Sequence, residues 1–370
     1  MLKSDEINRY EYIIEIANIE TYKQLFNSIF GDILDWIVAY MSEDIYMYTK
    51  DSISEFVFSL SDSDFSKLKH AVNDRISKER YGATTIEEFA IKNNKQIKCP
   101  SCGSSKIHKD GISKNKDSHQ KFECNECGHR FTLMSNSIFN SMKISFNQLT
   151  FYITLMTFNV PLTMCEELCD ISHPTAMLWR KKIFSTINNY QENIILKDTI
   201  WIDEFYIYDY SILHEDGYKQ KRGLSKDQLC LVAAIDCYKN IVIRICGHGK
   251  PSSKRIKKTL ASHIKSGSCI YHDGENSHNE LIKGLDCESR VFIANPKNPE
   301  YIKNMALINN LCSWIRRYLF RFIGMDINNL ESYLNWFVYL FRVKSNNEKW
   351  PKIERILRHL VLSDTRFTRK

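Results

Sequence analysis

No uninterrupted apolar run in the sequence approaches the ~18–20 residues that a bilayer-spanning helix needs. The densest aromatic stretch, Tyr333–Phe341, is short and ends in Arg342. Charges scattered through the opening segment, MLKSDEINRYEYIIEIANIE, exclude an export signal or a membrane anchor there. Internal repeats and low-complexity tracts are also lacking, and with them repeat architectures. Neither sign of charge dominates. A formal net charge of +7 is compatible with a polyanionic partner but is far from that of a histone or a polybasic tail. Cysteine is too sparse for a disulfide-dense secreted protein: of twelve, four form two close pairs and the rest are scattered. Reduced thiols and a cytoplasmic location are therefore expected. What the chain does have is 43% hydrophobic residues against 26% charged, enough for ordinary cores, and 370 residues, a length that suggests two or three domains.

Residues 1–90 read as a helical accessory domain, with Tyr12, Ile13, Ile16, Ile19, Ile33, Ile37, Tyr40 and Met41 at helical spacing. Residues 95–133 change character, becoming rich in Cys, Gly, Lys and His. Cys99-Pro-Ser-Cys102 and Cys124-Asn-Glu-Cys127 frame this segment across an inner gap of twenty-one residues, just beyond the usual zinc spacing. Each pair is followed by glycine, Gly103 and Gly128, which permits the positive φ of a knuckle turn. Four thiolates close a tetrahedron around Zn²⁺, so the expectation is a structural zinc ribbon. His108, His119 and His129 are spare candidates.

Residues 144–190 read as three helices, Phe146–Phe158, Thr163–Cys169 and Thr175–Ile187, with a turn before Pro174. The last exposes Arg180, Lys181 and Lys182 on this reading. A helix-turn-helix with a basic second member is the arrangement that enters a DNA major groove.

From residue 198 the pattern switches to strands. Ile200–Phe205, Gln228–Asp236 and Ile241–Gly247 read as a meander, the last two joined by a tight turn. A basic helix, Ser253–Ile264, carries Lys254, Arg255, Lys257 and Lys258 as phosphate-contact candidates. A fourth strand Ser268–His272, a helix near His278–Gly284, a fifth strand Arg290–Ala294, and helices near Tyr301–Phe322 and Ile327–Arg342 follow. The order βββαβαβα over 198–345 is the RNase H-like topology. The expected whole is a multidomain α+β chain with a mixed sheet, closed by a basic tail at 346–370.

Two acids stand out in that order. Asp203 lies inside an otherwise apolar strand, TIWIDEFYIY, where a buried carboxylate is costly unless paired or bound to a metal. Asp273 ends the fourth strand, where crossover folds place ligand sites. First and fourth strands are neighbours in this topology, so the two carboxylates could hold a hard divalent ion for phosphoryl transfer. The plainer alternatives are an acid at a strand end for Asp203, with Glu204 pointing the other way, and a simple turn for Asp273-Gly274. Asp236 reads as turn chemistry, and Glu275 and Glu280 as solvent-exposed.

With these segments in view, roughly residues 95–345 resemble bacterial insertion-sequence transposases of the RNase H-like class that carry a zinc ribbon. The resemblance rests on CPSCGS…FECNECGHRFT, TIWIDEFYI, KRGLSKDQLCLVAAID, CIYHDGENSH and INNLCSWIRRYLFRFIGMDINNLESYLNWFVY, in this order. It implies binding of terminal inverted repeats, cleavage of DNA ends and strand transfer with Mg²⁺ or Mn²⁺, by at least a dimer on double-stranded DNA. It further implies a metal triad of Asp203, Asp273 and Asn309, the last standing where many relatives carry Glu. Arg316 holds the place of an expected basic residue, and a phosphate contact suits it. The neutral Asn309 leaves open an alternative: a catalytically decayed transposase acting as a sequence-specific DNA-binding protein.

Overall fold

The computed structural model describes residues 50–112, 120–212, 223–295, 297–322, 324–345 and 351–367. Tyr12 through Met41 and His119 lie outside the described residues. The chain divides into two compact units, Met1–Asn73 and Asp74–Lys370. Helix α1 (Lys50–Ser59) belongs to the first, and the division falls within helix α2 (Asp62–Tyr81).

After the last turns of α2, the second unit continues with α3 (Ile86–Lys92), whose N-cap Thr85 side chain accepts from the Glu88 N–H. A small antiparallel sheet follows, β1 (Ile107–Ile112), β2 (Gln120–Cys124) and β3 (Arg130–Thr132), in that spatial order. Next come α4 (Phe146–Thr157), α5 (Leu162–Cys169) and α6 (His173–Ser185), close to the three helices expected. A reciprocal capping box starts α4: Ser145 Oγ accepts from the Gln148 N–H, and Gln148 Oε1 accepts from the Ser145 N–H. Asp170 ends α5 at φ +52, a left-handed position that a short acidic side chain tolerates.

The main sheet contains β4 (Thr199–Tyr208), β5 (Gln228–Asp236), β6 (Ile241–His248), β7 (Cys269–His272) and β8 (Glu288–Val291). Its order is β6-β5-β4-β7-β8. The pairs β4–β5 and β5–β6 are antiparallel, whereas β4–β7 and β7–β8 are parallel. As expected, the β5–β6 turn is built by Asp236, whose Oδ1 accepts from the N–H groups of Tyr238 and Asn240. Helices α7 (Ser253–Leu260) and α8 (Asn279–Gly284) form the two crossovers, giving the expected succession of strands and helices. Ile256 and Leu260 of α7 and Leu281 of α8 pack with Ile200, Ile202, Val232 and Ile270 on one sheet face. The long helix α9 (Pro299–Phe320) covers the other face, where the Trp201 indole donates to the Asn304 carbonyl at 2.7 Å.

Two expectations need correction. Residues 346–370 are not simply a basic tail, because Lys352–Leu362 forms helix α11. Its Ile356, Leu357, Leu360 and Val361 are at most 1% exposed, an apolar stripe at helical spacing that the interleaved basic residues obscure. The helical trio is not a free-standing module either. Helix α10 (Leu330–Ser345) packs on α6 through Phe184 and Trp336, ring centroids 6.1 Å apart, and Trp336 donates to Met156 O of α4. Helices on both sides of the sheet in sequence thus share one core.

Candidate active site and thiol cluster

Side chains alternate across a strand. Ile200 and Ile202 of β4 point into the core beneath α7 and α8, so Trp201, Asp203 and Phe205 face α9. The parallel pairing of β4 with β7 matches Thr199 with Cys269, Ile200 with Ile270 and Trp201 with Tyr271. The same register carried two residues further would set Asp203 opposite Asp273, which follows the end of β7. The charge of Asp273 acts on Asp203, which places the two carboxyls in one field. Burial, then the neighbouring Glu204 and Asp273 carboxylates, push the Asp203 pKa up to about 6, against the Glu204 N–H at 2.9 Å and the charge of Arg316.

Helix α9 contributes the rest. Arg316 lays its guanidinium over the Phe205 ring, 5.4 Å from the centroid, and its residue is exposed. One turn earlier, the buried Cys312 interacts with Asp203; burial and that neighbouring charge raise the thiol's pKa. Asn309 lies one further turn back on the same edge of the helix, half-buried, and its Nδ2 donates to the Tyr301 hydroxyl at 3.2 Å. Cys312 escaped the sequence reading. Its spacing from Asn309 and Arg316, three and four residues, was the available signal.

Behind this face lies a buried polar network that sequence reasoning also missed. Glu204 points away from Asp203, as in the plainer alternative for that strand, but not into solvent: its side chain is 6% exposed. Its Oε1 accepts from Ser277 Oγ at 3.1 Å and from His278 Nε2 at 3.1 Å. His278 Nδ1 lies 3.0 Å from His272 Nδ1, and His272 Nε2 lies 3.0 Å from Ser289 Oγ. Burial alone would depress the His278 pKa, but the Glu204 carboxylate overrides it and holds it raised. For Glu204, burial works upward and the His278 contact prevails, lowering the pKa. His272 is pushed down to about 4 by burial and by His278. His272, Asp273 and His278 bring ligand atoms within 4.8 Å of one another, so Asp273 borders both neighbourhoods. Glu275 is half-buried and pairs with Lys250 at 2.9 Å, whereas Glu280 is exposed as expected.

The four cysteines of the first segment converge. Cys99 and Cys127 sulfurs lie 3.5 Å apart, as do those of Cys102 and Cys124, and all four lie within 4.8 Å of one another. Four sulfurs about 2.3 Å from a tetrahedral zinc would stand about 3.8 Å apart. The donor set therefore fits that ion. Gly103 and Gly128 adopt φ +74 and +68, the knuckle geometry that the sequence suggested.

The basic candidates divide. Lys181, Lys254, Lys257 and Lys258 are exposed. Arg180 and Lys182 are not surface residues, contrary to expectation, at 7% and 9% exposure. Arg180 donates to Val160 O at 3.1 Å and lies over Phe322, while Lys182 lies over the Trp179 ring at 4.7 Å. Long apolar stems let both reach into the helical core, where carbonyls and aromatic faces partner the charges while the Arg180 Nε stays unpaired. Arg255 is likewise committed inward, its guanidinium donating to the carbonyls of Cys246 and, at 3.0 Å, His248.

No family model and no curated protein matches the chain. Among solved structures, the chain has a TM-score of 0.27 and 12% identity to one in an intasome of simian T-cell lymphotropic virus in complex with the PP2A regulatory subunit B56 gamma. That match covers 50% of this chain and 67% of the other. A second, from a pre-cleavage Mos1 transpososome, gives 0.19 and 11%, covering 56% of this chain and 75% of the other. TM-scores this low assign neither fold family nor function.

Proposed function

We propose that the chain is a DNA transposase of the bacterial insertion-sequence type, with an RNase H-like catalytic domain. The observation that carries this reading is the parallel pairing of β4 with β7, which runs to Trp201 and Tyr271 just before the two acids, together with the effect of the Asp273 and Arg316 charges on Asp203. A partly buried pair of carboxylates, one with a raised pKa, suits a hard cation, and its mixed oxygen donors fit Mg²⁺ or Mn²⁺. Asp203, Asp273 and the Asn309 amide oxygen would hold it. Such an ion supplies activation of a water or 3′-hydroxyl nucleophile and neutralises charge on the leaving oxygen. Arg316 is the exposed guanidinium beside the pair and takes a phosphate bidentately. The four-thiol cluster would hold a structural Zn²⁺, fixing a ribbon too small to fold on its own core. Lys181 on α6 and Lys254, Lys257 and Lys258 on α7 are the exposed candidates for phosphate contacts along the DNA. Acting on two ends at once requires at least a dimer on double-stranded DNA, in the bacterial cytoplasm.

A second reading, a sequence-specific DNA-binding protein without chemistry, is favoured by one observation: residue 309 offers an amide, a weaker ligand than a carboxylate. Labelled DNA carrying the ends that flank the chain's own gene, with Mg²⁺ or Mn²⁺ added or omitted, decides between them. The expected result is metal-dependent nicking at the 3′ ends, abolished in Asp203→Asn with end binding intact. Cleavage retained in Asp203→Asn would overturn the site. Tight binding without cleavage under any metal would establish the second reading.

A further inference from the structure

The β4–β7 ladder ends at Trp201 and Tyr271, two residues short of Asp203 and Asp273. The β4–β7 ladder therefore does not fix Asp273; on the β8 side the Phe292 N–H donates to the His272 carbonyl at 2.8 Å, and the Asp273 carboxylate accepts from the Glu275 N–H at 3.0 Å. Further contacts around it come from the far face of β4. Gly274, next to Asp273, adopts φ +91 and donates to His272 Nδ1 at 3.3 Å. Ser277 and His278, which close the turn, both donate to Glu204 Oε1 at 3.1 Å. His272, immediately before Asp273, meets His278 on one side and Ser289 of β8 on the other. An acid in this place is costly to desolvate, and an apolar residue would fill the same volume more cheaply. Its value lies in what it holds.

Resting on the reading of Asp203 and Asp273 as metal ligands, we propose that Glu204 is a positioning residue: by clamping Ser277 and His278 from the opposite face of β4, it holds Asp273 at the distance from Asp203 that one divalent ion requires. Partners behind a ligand orient it in this way in metal sites, and losing one typically weakens metal binding by roughly 10–100-fold. The consecutive pair Asp203-Glu204 then works as a unit, one acid per face, the first as ligand and the second as clamp.

The test titrates Mn²⁺ into the zinc-loaded full-length protein, following free ion by electron paramagnetic resonance at one pH, with no DNA present. Glu204→Ala should raise the Mn²⁺ concentration for half-saturation by roughly 10-fold or more, with affinity for DNA ends in the absence of divalent ions unchanged. Glu204→Gln keeps an oxygen that accepts from both Ser277 and His278, and should bind Mn²⁺ within a few-fold of the parent. A Glu204→Ala protein that binds Mn²⁺ like the parent overturns the proposal, as does a Glu204→Gln protein as weak as Glu204→Ala. Should Glu204→Ala fail to fold by circular dichroism, Ser277→Ala removes one donor while the carboxylate stays. Unchanged Mn²⁺ affinity in that variant would overturn the clamp. A parent protein with no Asp203-dependent Mn²⁺ site overturns the functional reading and this proposal together, whereas a parent site indifferent to Glu204 overturns this proposal alone.

Discussion

Asp203→Asn should make the protein more stable while abolishing the DNA cleavage proposed for it. In the folded chain the Asp203 carboxyl titrates near 6 rather than 3.8, chiefly because of burial and the adjacent Glu204 and Asp273 carboxylates. Holding that side chain ionised costs the folded state on the order of 3 kcal/mol, at about 1.4 kcal/mol per pH unit. The sign follows from which state holds the proton more tightly. The folded pKa lies above the unfolded one, so the folded state binds the extra proton between the two values. The cost is complete above about pH 6, shrinks as pH falls towards 3.8, and is gone below it. Asparagine removes the charge and with it the cost. Urea unfolding of the zinc-loaded protein, in buffer freed of Mg²⁺ and Mn²⁺, should show Asp203→Asn more stable than the parent at pH 8. The advantage should be about half as large at pH 5. Saturating Mn²⁺ should raise the parent's midpoint and leave the variant's unchanged. Equal or lower stability of the variant at pH 8, or an advantage that does not shrink at pH 5, would refute the reasoning.

Arg180→Ala should destabilise the helical core by roughly 1–3 kcal/mol, since it leaves the buried Val160 carbonyl with only the weak Cys165 thiol donor. Lys181→Ala, one residue on and exposed, should stay within about 0.5 kcal/mol of the parent; thermal melts of the pair check both. If the thiol cluster holds zinc as proposed, elemental analysis should find it in the parent and not in Cys124→Ser, and amide exchange over Gln120–Cys124 and Arg130–Thr132 should speed up, because among the described residues the small sheet buries few apolar side chains besides Phe122 and Phe131.

The main sheet was legible because its strands are apolar runs separated by turn residues, so order and approximate bounds could be read from periodicity. The neighbouring of β4 and β7, and with it the pairing of Asp203 and Asp273, came from the same order of elements. The thiol cluster was legible from two short spacings, each closed by a glycine. Other features depend on partners far away in sequence. Arg180 looks like a surface cation beside Lys181 and Lys182, and only Phe322 and the Val160 carbonyl, brought together by packing, show that it is internal. Helix α11 was hidden because Lys, Arg and His alternate with an apolar stripe that only its packing against α4 and α10 makes necessary. The Glu204 network was hidden for the same reason: His278 becomes its partner only when β7 is laid beside β4.

That network also bears on which of Asp203 and Glu204 the proposed site would use. Consecutive residues in a strand face opposite ways, so two acids in an apolar strand impose two desolvation costs on two faces. On the face of Glu204 the cost is met within the protein, by an imidazole and a hydroxyl, and the carboxyl's pKa is lowered. On the face of Asp203 it is not met: an amide N–H and the charge of Arg316 help, yet burial and two neighbouring carboxylates leave the pKa raised. A folded chain keeps such an imbalance where something outside the chain corrects it. For an acid beside a second acid, under a helix edge bearing an amide and a guanidinium, the correcting partner that the proposed function supplies is a cation. The contrast between the two residues identifies the site more sharply than the position of either does.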